Sequence, residues 1–151
     1  DSLAKDVKAV VDNAGVESKY IEFEITERMF ANDLDTIIPI LKEMREEGFE
    51  ISVDDFGAGY SSFNVMGILP VDTIKIDKGF LDSCFNNERG KQLIQGVIDI
   101  IKKVKLQMVC EGVETREQAD MLKAFGCENV QGYLYDKPLT VEEFEAKYMK
   151  K

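Results

Sequence analysis

The sequence contains no histidine among its 151 residues. This absence excludes catalytic sites built on Ser-His-Asp or Cys-His groups, and it excludes hydrolases whose metal ions are held by histidine. Any metal ion bound by the chain would therefore be held by oxygen atoms. Oxygen ligands favour Mg²⁺ or Mn²⁺ over zinc.

Basic residues are also scarce, because 19 lysines and arginines stand against 29 aspartates and glutamates, which gives a net charge of −10. This balance argues against a protein that binds a nucleic-acid polymer or an anionic membrane surface, since both need basic patches. If the ligand is an anion, metal ions would have to reverse the local charge. No apolar run approaches the roughly 20 residues of a membrane span and no signal peptide is visible, so we expect no direct membrane contact.

Cysteine is limited to Cys84, Cys110 and Cys127. Their spacing does not match that of metal ligands, so we interpret them as reduced thiols in a cytosolic protein. A chain of this length is expected to form one domain with a sizeable core.

What the sequence does contain is an alternation of short apolar strands and helices. Strands are predicted over 20–26, 50–55, 73–77, 107–112 and 129–133. Helices are predicted over 3–14, 33–47 and 93–104, in a short segment before Pro70, from Thr115 to Gly126, and from Thr140 onward. The last two helices begin with capping boxes, whereas Asn86 and Asn87 indicate a loop. This order favours parallel strands joined by helices, as in a doubly wound sheet or part of a (β/α)8 barrel.

The polar residues of these strands repeat in one phase, which decides between the two architectures. The polar phase consists of Glu22, Glu24, Ser52, Asp54, Thr73, Lys75, Asp77, Gln107, Val109, Glu111, Asn129, Gln131 and Tyr133. Helices must cover the alternate, apolar face, so the polar face is expected to point towards a barrel axis. A doubly wound sheet would need two apolar faces. We therefore predict an α/β fold that forms a partial (β/α)8 TIM-type barrel with about five parallel strands and flanking helices.

Charged residues collect at the carboxyl ends of the predicted strands, where barrel enzymes place their chemistry. The acids there are Glu24, Glu27, Asp54, Asp55, Asp77, Glu111 and Glu114, and the one cation is Lys75. So many carboxylates cannot stay ionised together without metal ions, and bridging carboxylates are typical of two-metal sites for phosphoryl displacement. Plainer interpretations remain open: Asp54 and Asp55 as turn or helix-cap residues, and Lys75 with Asp77 as an ordinary ion pair.

Longer motifs surround these charges. They read EITE at 24–27, DDFGAGYSS at 54–62, PVDTIKID at 70–77, EGVET at 111–115, QGY at 131–133 and KPL at 137–139. In this order they resemble the EAL domain, a family of bacterial cyclic-di-GMP phosphodiesterases built on a modified TIM barrel. The resemblance extends over nearly the whole chain.

The resemblance implies a set of metal ligands. Glu24 and Asp54 would bind one ion, Asp54 and Asp55 a second, and Asp77 would support the site. Glu27 would anchor the loop over 55–62. The ions would be Mg²⁺ or Mn²⁺, two of them in the complete domain.

The resemblance also implies a reaction, the hydrolysis of one phosphodiester bond in cyclic di-GMP to give linear pGpG. Lys75 would bind the catalytic water or a phosphate. Glu111 would be a general base or a water-mediated metal ligand, and Gln131 would complete the water network. The substrate would also contact Glu114, Lys137 and Pro138.

One departure from the family is that the Glu-Ala-Leu signature, an Asn metal ligand and a substrate-binding Arg are absent, and they would lie before Asp1. We therefore interpret 1–151 as the C-terminal part of an EAL domain, inactive or weakly active alone. Its open sheet edges predict self-association or a homodimer. We expect a cytoplasmic location, alone or within a larger membrane-anchored or multidomain signalling protein.

Two other functions remain open. A non-catalytic cyclic-di-GMP receptor, or an interaction module derived from an EAL domain, would keep the binding residues without turnover. An unrelated Mg²⁺ barrel of the enolase type would use Lys75 to abstract a proton, although the Asp54-Asp55 pair fits that chemistry poorly.

Overall fold

The computed structural model describes residues 2–26, 29, 34–59 and 63–149. Glu27 lies outside this part of the chain, and so do residues 60–62 of the loop over 55–62 that Glu27 is predicted to anchor. Among the helices described, none combines the length and the apolar character needed to cross a bilayer.

The described strands form one parallel sheet. They are β1 (Glu22–Thr26), β2 (Glu50–Phe56), β3 (Thr73–Ile76), β4 (Gln107–Cys110) and β5 (Asn129–Val130). Each strand pairs in parallel with the next one along the chain, in the order β1-β2-β3-β4-β5. This arrangement confirms the predicted sheet. The strand predicted over 129–133 ends earlier, because beyond Val130 the backbone pairs irregularly with the loop after β4.

Helices connect the strands. They are α1 (Leu3–Asn13), α2 (Leu34–Glu46), α3 (Asn64–Ile68), α4 (Lys78–Phe85), α5 (Glu88–Lys103), α6 (Arg116–Phe125) and α7 (Val141–Tyr148), with a 3-10 turn at Ser18–Tyr20. Both predicted capping boxes form, at Thr115 with Gln118 and at Thr140 with Glu143. Each box satisfies backbone N–H groups that a helix leaves unpaired at its first turn.

Helix α4 is the main element that the sequence pattern does not predict. It begins directly after β3, where the Asp77 carboxylate accepts a hydrogen bond from the backbone N–H of Phe80 at 3.0 Å. Leu81 and Cys84 on this helix are buried in the core. The cap and the buried face explain why a segment of only two turns is helical.

The hydrophobic core lies between one face of the sheet and the helices. Ile51, Val53, Ile74 and Ile76 have no exposed side-chain surface, and neither has Ile98 of α5. Full burial of an aliphatic side chain of this size contributes about 1.5–3 kcal/mol. The opposite face carries the polar phase, as predicted for a barrel-type sheet.

Candidate active site

Four charged side chains, three on different strands and one directly after a fourth strand, meet at the carboxyl edge of the sheet. Lys75 Nζ lies 2.6 Å from Glu24 Oε1, 2.9 Å from Glu111 Oε1 and 3.4 Å from Asp54 Oδ1. We call these four residues the Lys75 cluster. The Lys75 side chain is only 11% exposed. The convergence of acidic strand ends expected from the sequence is therefore present in the fold.

The strand register produces this meeting. Thr26 at the end of β1 pairs with Asp54, and Lys75 of β3 pairs with Val109 of β4. Glu111 follows β4 directly, and its backbone N–H donates to the carbonyl of Ile76 at 3.0 Å. Because neighbouring strands lie about 4.8 Å apart, side chains of the same phase at adjacent strand ends come within reach of one ammonium group.

The charge state of Lys75 follows from its contacts. Burial by itself would lower the pKa of its ammonium group. Hydrogen bonds to Glu24 and Glu111, with the negative charges of Glu111 and Asp54, outweigh that effect and raise the pKa above its ordinary value. Lys75 is therefore a firmly charged cation among three carboxylates.

A β-bulge in β2 places the two adjacent aspartates. The register shifts between Val53 and Phe56, which pairs with Ile76, so β2 holds one extra residue there. Asp55 is the extra residue, and its backbone is left-handed, at φ 56°. Such a bulge lets Phe56 return to the core while Asp55 stays exposed. Simple alternation would have placed Asp55 on the apolar face.

Asp54 holds an oxygen that the protein does not fully satisfy. Its Oδ1 atom is buried and accepts no hydrogen bond within the described part of the chain. Lys75 Nζ, at 3.4 Å, compensates only its charge. A buried carboxylate oxygen with free acceptor capacity is costly unless a cation or water completes its contacts.

A second cation, Lys78, lies near this edge, which corrects the expectation of a single one. Lys78 Nζ is 2.8 Å from Asp82 and 3.4 Å from Glu114. Its aliphatic stem packs against Gly112, where an added Cβ would lie 2.5 Å from Lys78 Cβ. Lys78 therefore packs against the loop that follows Glu111. Its position directly after Asp77 is the signal that could have pointed to it.

The same loop is joined on its other side to the segment after β5. The N–H of Val113 donates to Gln131 O, and the N–H of Leu134 donates to Val113 O, both at 3.0 Å. Gly132 approaches this loop so closely that a Cβ on it would lie 2.7 Å from the carbonyl carbon of Val113. This packing fixes the backbone of Gln131 beside Glu111.

Comparison with known proteins now decides the family. The family model of the EAL domain matches residues 1–138. The chain belongs to the EAL domain family.

Curated relatives and solved structures agree with this assignment. The chain is 38% identical over 150 residues to "Cyclic di-GMP phosphodiesterase NbdA" of Pseudomonas aeruginosa, a match covering 97% of this chain and 19% of that protein. It is 41% identical over 144 residues to "Probable cyclic di-GMP phosphodiesterase PdeB" of Escherichia coli, covering 95% and 27%. The chain thus spans well under a third of either relative.

Among solved structures, the EAL domain of Mycobacterium smegmatis DcpA superimposes with a TM-score of 0.87 at 33% identity, over 95% of this chain and 64% of that one. A manganese and cyclic-di-GMP complex of Klebsiella pneumoniae BlrP1 superimposes with a TM-score of 0.81 at 27% identity, over 87% and 34%. These likenesses place the sheet among TIM-barrel-like EAL domains.

The other site residues predicted from the EAL resemblance have varied surroundings. Asp77 caps helix α4, and Glu114 pairs with Lys78. Lys137 and Pro138 are exposed, and the Lys137 ammonium lies 5.6 Å from the centre of the Tyr133 ring. Their predicted roles, and that of Gln131, stay predictions.

The fit of a divalent metal to this EAL site depends on the Lys75 cluster. In the described ranges, no group of three or more acidic or cysteine side chains is spaced to hold a metal ion. The chemistry of the donors nevertheless fits Mg²⁺ or Mn²⁺, since the carboxylates that meet at Lys75 offer only oxygen. Within the Lys75 cluster, the buried Oδ1 of Asp54 has acceptor capacity that no hydrogen bond from the described residues uses.

Proposed function

We propose that this chain carries the carboxylate and lysine part of an active site that hydrolyses one phosphodiester bond of cyclic di-GMP, giving linear pGpG with Mg²⁺ or Mn²⁺. The observation that carries the proposal is the Lys75 cluster, in which three strand-end carboxylates reach one largely buried ammonium. Relatives named as cyclic di-GMP phosphodiesterases support it.

In this proposal the metal ligands are Glu24, Asp54 and Asp55, with Asp77 in support. Such ions, when bound, neutralise phosphate charge and make a bound water more acidic. The protein contributes a buried carboxylate oxygen on Asp54 and an Asp55 held beside it by the bulge. Without cations, a site lined by so many acids would repel a substrate that carries two phosphates.

Lys75 and Glu111 are the residues that would handle the attacking water. Their charged atoms lie 2.9 Å apart, so both can contact one water molecule. Glu111 would accept a proton from that water as a general base, and Lys75 would orient it or a phosphate oxygen. Gln131 would complete the hydrogen bonds of the water, while Glu114, Lys137 and Pro138 would contact the substrate.

The test compares this chain with a longer protein. The longer protein contains the same residues within a whole EAL domain, of the size of the DcpA domain. Both are incubated with cyclic di-GMP and Mn²⁺, and pGpG is measured by chromatography. We expect turnover in the longer protein and weak or no turnover in the chain alone. In the longer protein, Asp54→Asn should abolish turnover, whereas Asp99→Asn, on an exposed position of α5, should not. An active Asp54→Asn variant would contradict the metal assignment.

A non-catalytic receptor is the second candidate. It is favoured by the ion pairs of Lys75, which already neutralise part of the acidic cluster without a metal ion. Equilibrium dialysis with cyclic di-GMP and Mn²⁺ separates the two functions. Saturable binding by the longer protein with no pGpG would support the receptor, and pGpG formation would exclude it.

We also propose that the chain self-associates through its sheet edges, β1 and β5. A parallel edge presents unpaired backbone groups that can bind a second copy. Sedimentation velocity at about 10–100 μM, concentrations that populate complexes with micromolar dissociation constants, should reveal a dimer or larger species. A stable monomer throughout would contradict this.

A further inference from the structure

Two buried cysteines, Cys110 and Cys127, contact each other next to the Lys75 cluster. Their sulfur atoms lie 3.4 Å apart, although the residues are 17 positions apart in sequence. Cys110 is completely buried at the end of β4, and Cys127, in the turn after α6, is 2% exposed. The spacing of the cysteines in the sequence does not predict this pairing, which arises from the crossover between β4 and β5.

Cys127 lies outside the regular helices and strands, between α6 and β5. A disulfide bond needs a sulfur–sulfur distance of about 2.05 Å, so the two atoms must close by about 1.4 Å. Cys127 leads into β5, an edge strand of two residues that pairs only with β4 in the described sheet. Short edge segments can open locally at low free-energy cost, and such an opening would supply both the movement of the sulfur atoms and the entry of a small oxidant.

From this geometry we infer that Cys110 and Cys127 form a modification site at which a hydroperoxide oxidant generates an intramolecular disulfide bond. A thiolate from one cysteine attacks the peroxide, the O–O bond breaks, and a sulfenic acid and hydroxide form. The second sulfur then displaces the sulfenic oxygen as water, which closes the S–S bond. In total, two thiols lose two electrons and hydrogen peroxide is reduced to two water molecules.

The site matters because Cys110 directly precedes Glu111. Glu111 Oε1 lies 2.9 Å from Lys75 Nζ. Closing the sulfur pair pulls on the end of β4, whereas Lys75 is held by β3. Oxidation therefore acts on the backbone that positions one member of the Lys75 cluster.

The third cysteine supplies a matched control. Cys84 is as buried as Cys127, at 2% exposure, but it lies on α4, outside the pair. Burial alone therefore does not distinguish Cys84 from the two paired cysteines. A reaction that requires a neighbouring sulfur should spare Cys84, whereas unspecific oxidation of core thiols should not.

The experiment treats the folded chain with hydrogen peroxide, then unfolds it and alkylates the remaining thiols. Trypsin cleaves after Arg116 and Lys123, so Cys110 and Cys127 fall in separate peptides that a disulfide would join. We expect one alkylated thiol, at Cys84, and a joined peptide pair that dithiothreitol separates. Cys84→Ser should keep the joined pair, and Cys127→Ser should lose it.

Exposed methionine reports whether the oxidant acted. Met149 is 67% exposed and should form sulfoxide under the same treatment. Three alkylated thiols in a sample with oxidised Met149 would overturn the inference. So would a cross-link that involves Cys84 or joins two chains, or over-oxidation of Cys110 or Cys127 without a cross-link.

Discussion

Lys75 and Glu24 form an ion pair with a separation of 2.6 Å although they are 51 positions apart in sequence. They belong to β3 and β1, two strands that do not pair directly, and β2 lies between them. Lys75 therefore reaches across Asp54, which it also contacts at 3.4 Å. One cation thus connects the ends of β1, β2 and β3, and a third contact, to Glu111, extends the link to the end of β4.

Removing this cation should destabilise the fold. We expect Lys75→Met to lower the free energy of unfolding by about 2 kcal/mol at pH 7, because partly buried carboxylates lose their counter-charge. Lys103→Met, on an exposed position of α5, serves as the control and should change stability by less than about 0.5 kcal/mol. Urea unfolding measures both. An equal effect of the two substitutions would contradict the role of Lys75.

The stability difference between the wild type and Lys75→Met should depend on pH. The pKa of Lys75 is raised in the folded state from its ordinary value of 10.5. Its stabilising contribution is therefore fully present below that value and is lost as the pH rises towards the folded pKa. The stability gap between the wild type and Lys75→Met should be constant from pH 7 to 9 and should shrink above about 10.5. A stability difference that grows at alkaline pH would contradict the raised pKa of Lys75.

Replacement of glycine by alanine should have opposite effects on stability at Gly112 and at Gly96. Gly112 has a left-handed backbone, at φ 68°, and an added Cβ would meet the Lys78 side chain. We expect Gly112→Ala to destabilise the protein by about 1–3 kcal/mol. Gly96, inside α5, has no atom within 4 Å of an added Cβ, so Gly96→Ala should stabilise by about 0.5–1 kcal/mol. Thermal unfolding of both variants tests the signs.

The double variant Gly112→Ala with Lys78→Gly separates the two causes when it is compared with Lys78→Gly alone. Glycine at position 78 removes the Cβ, Cγ and Cδ atoms that the added Cβ would meet, but it leaves the left-handed backbone strain. The double variant should therefore recover part of the stability lost in Gly112→Ala. Full recovery would mean that strain contributes nothing, and no recovery would mean that Lys78 does not fill this space.

Asp77 can be tested for its structural and its proposed metal role separately. Asparagine caps a helix about as well as aspartate, so Asp77→Asn should keep the stability, whereas Asp77→Ala should lose about 1 kcal/mol. If Asp77 also supports a metal, Asp77→Asn should weaken Mn²⁺ binding in isothermal calorimetry. Unchanged binding would leave Asp77 as the cap of α4 alone.

Divalent metal should stabilise the fold if the proposed ligands hold it. A ligand that binds only the folded state stabilises it by about 2.7 kcal/mol at one hundred times its dissociation constant. We expect Mn²⁺ to raise the melting temperature of the wild type and of Asp99→Asn equally. Asp54→Asn should show a smaller rise. An equal rise in all three proteins would place the metal elsewhere.

The faces of the sheet were predictable because alternation along a strand is a local property. Ile51 and Val53 lie on the face that the helices cover, and Ser52 and Asp54 lie on the other, as their sequence positions indicate. The β-bulge at Asp55 was not predictable in this way. It depends on Phe56 regaining a place in the core, which only the packing of β2 against β3 requires.

The sequence by itself determined the parallel α/β fold, the capping boxes and the polar strand ends, because hydrophobic periodicity and capping act over a few residues. Only the tertiary structure decided the meeting of Lys75 with three carboxylates, the packing of Lys78 on Gly112 and the contact between Cys110 and Cys127. These contacts depend on the register of strands that are distant in sequence. That register is set by the collective packing of the core, and no single segment encodes it.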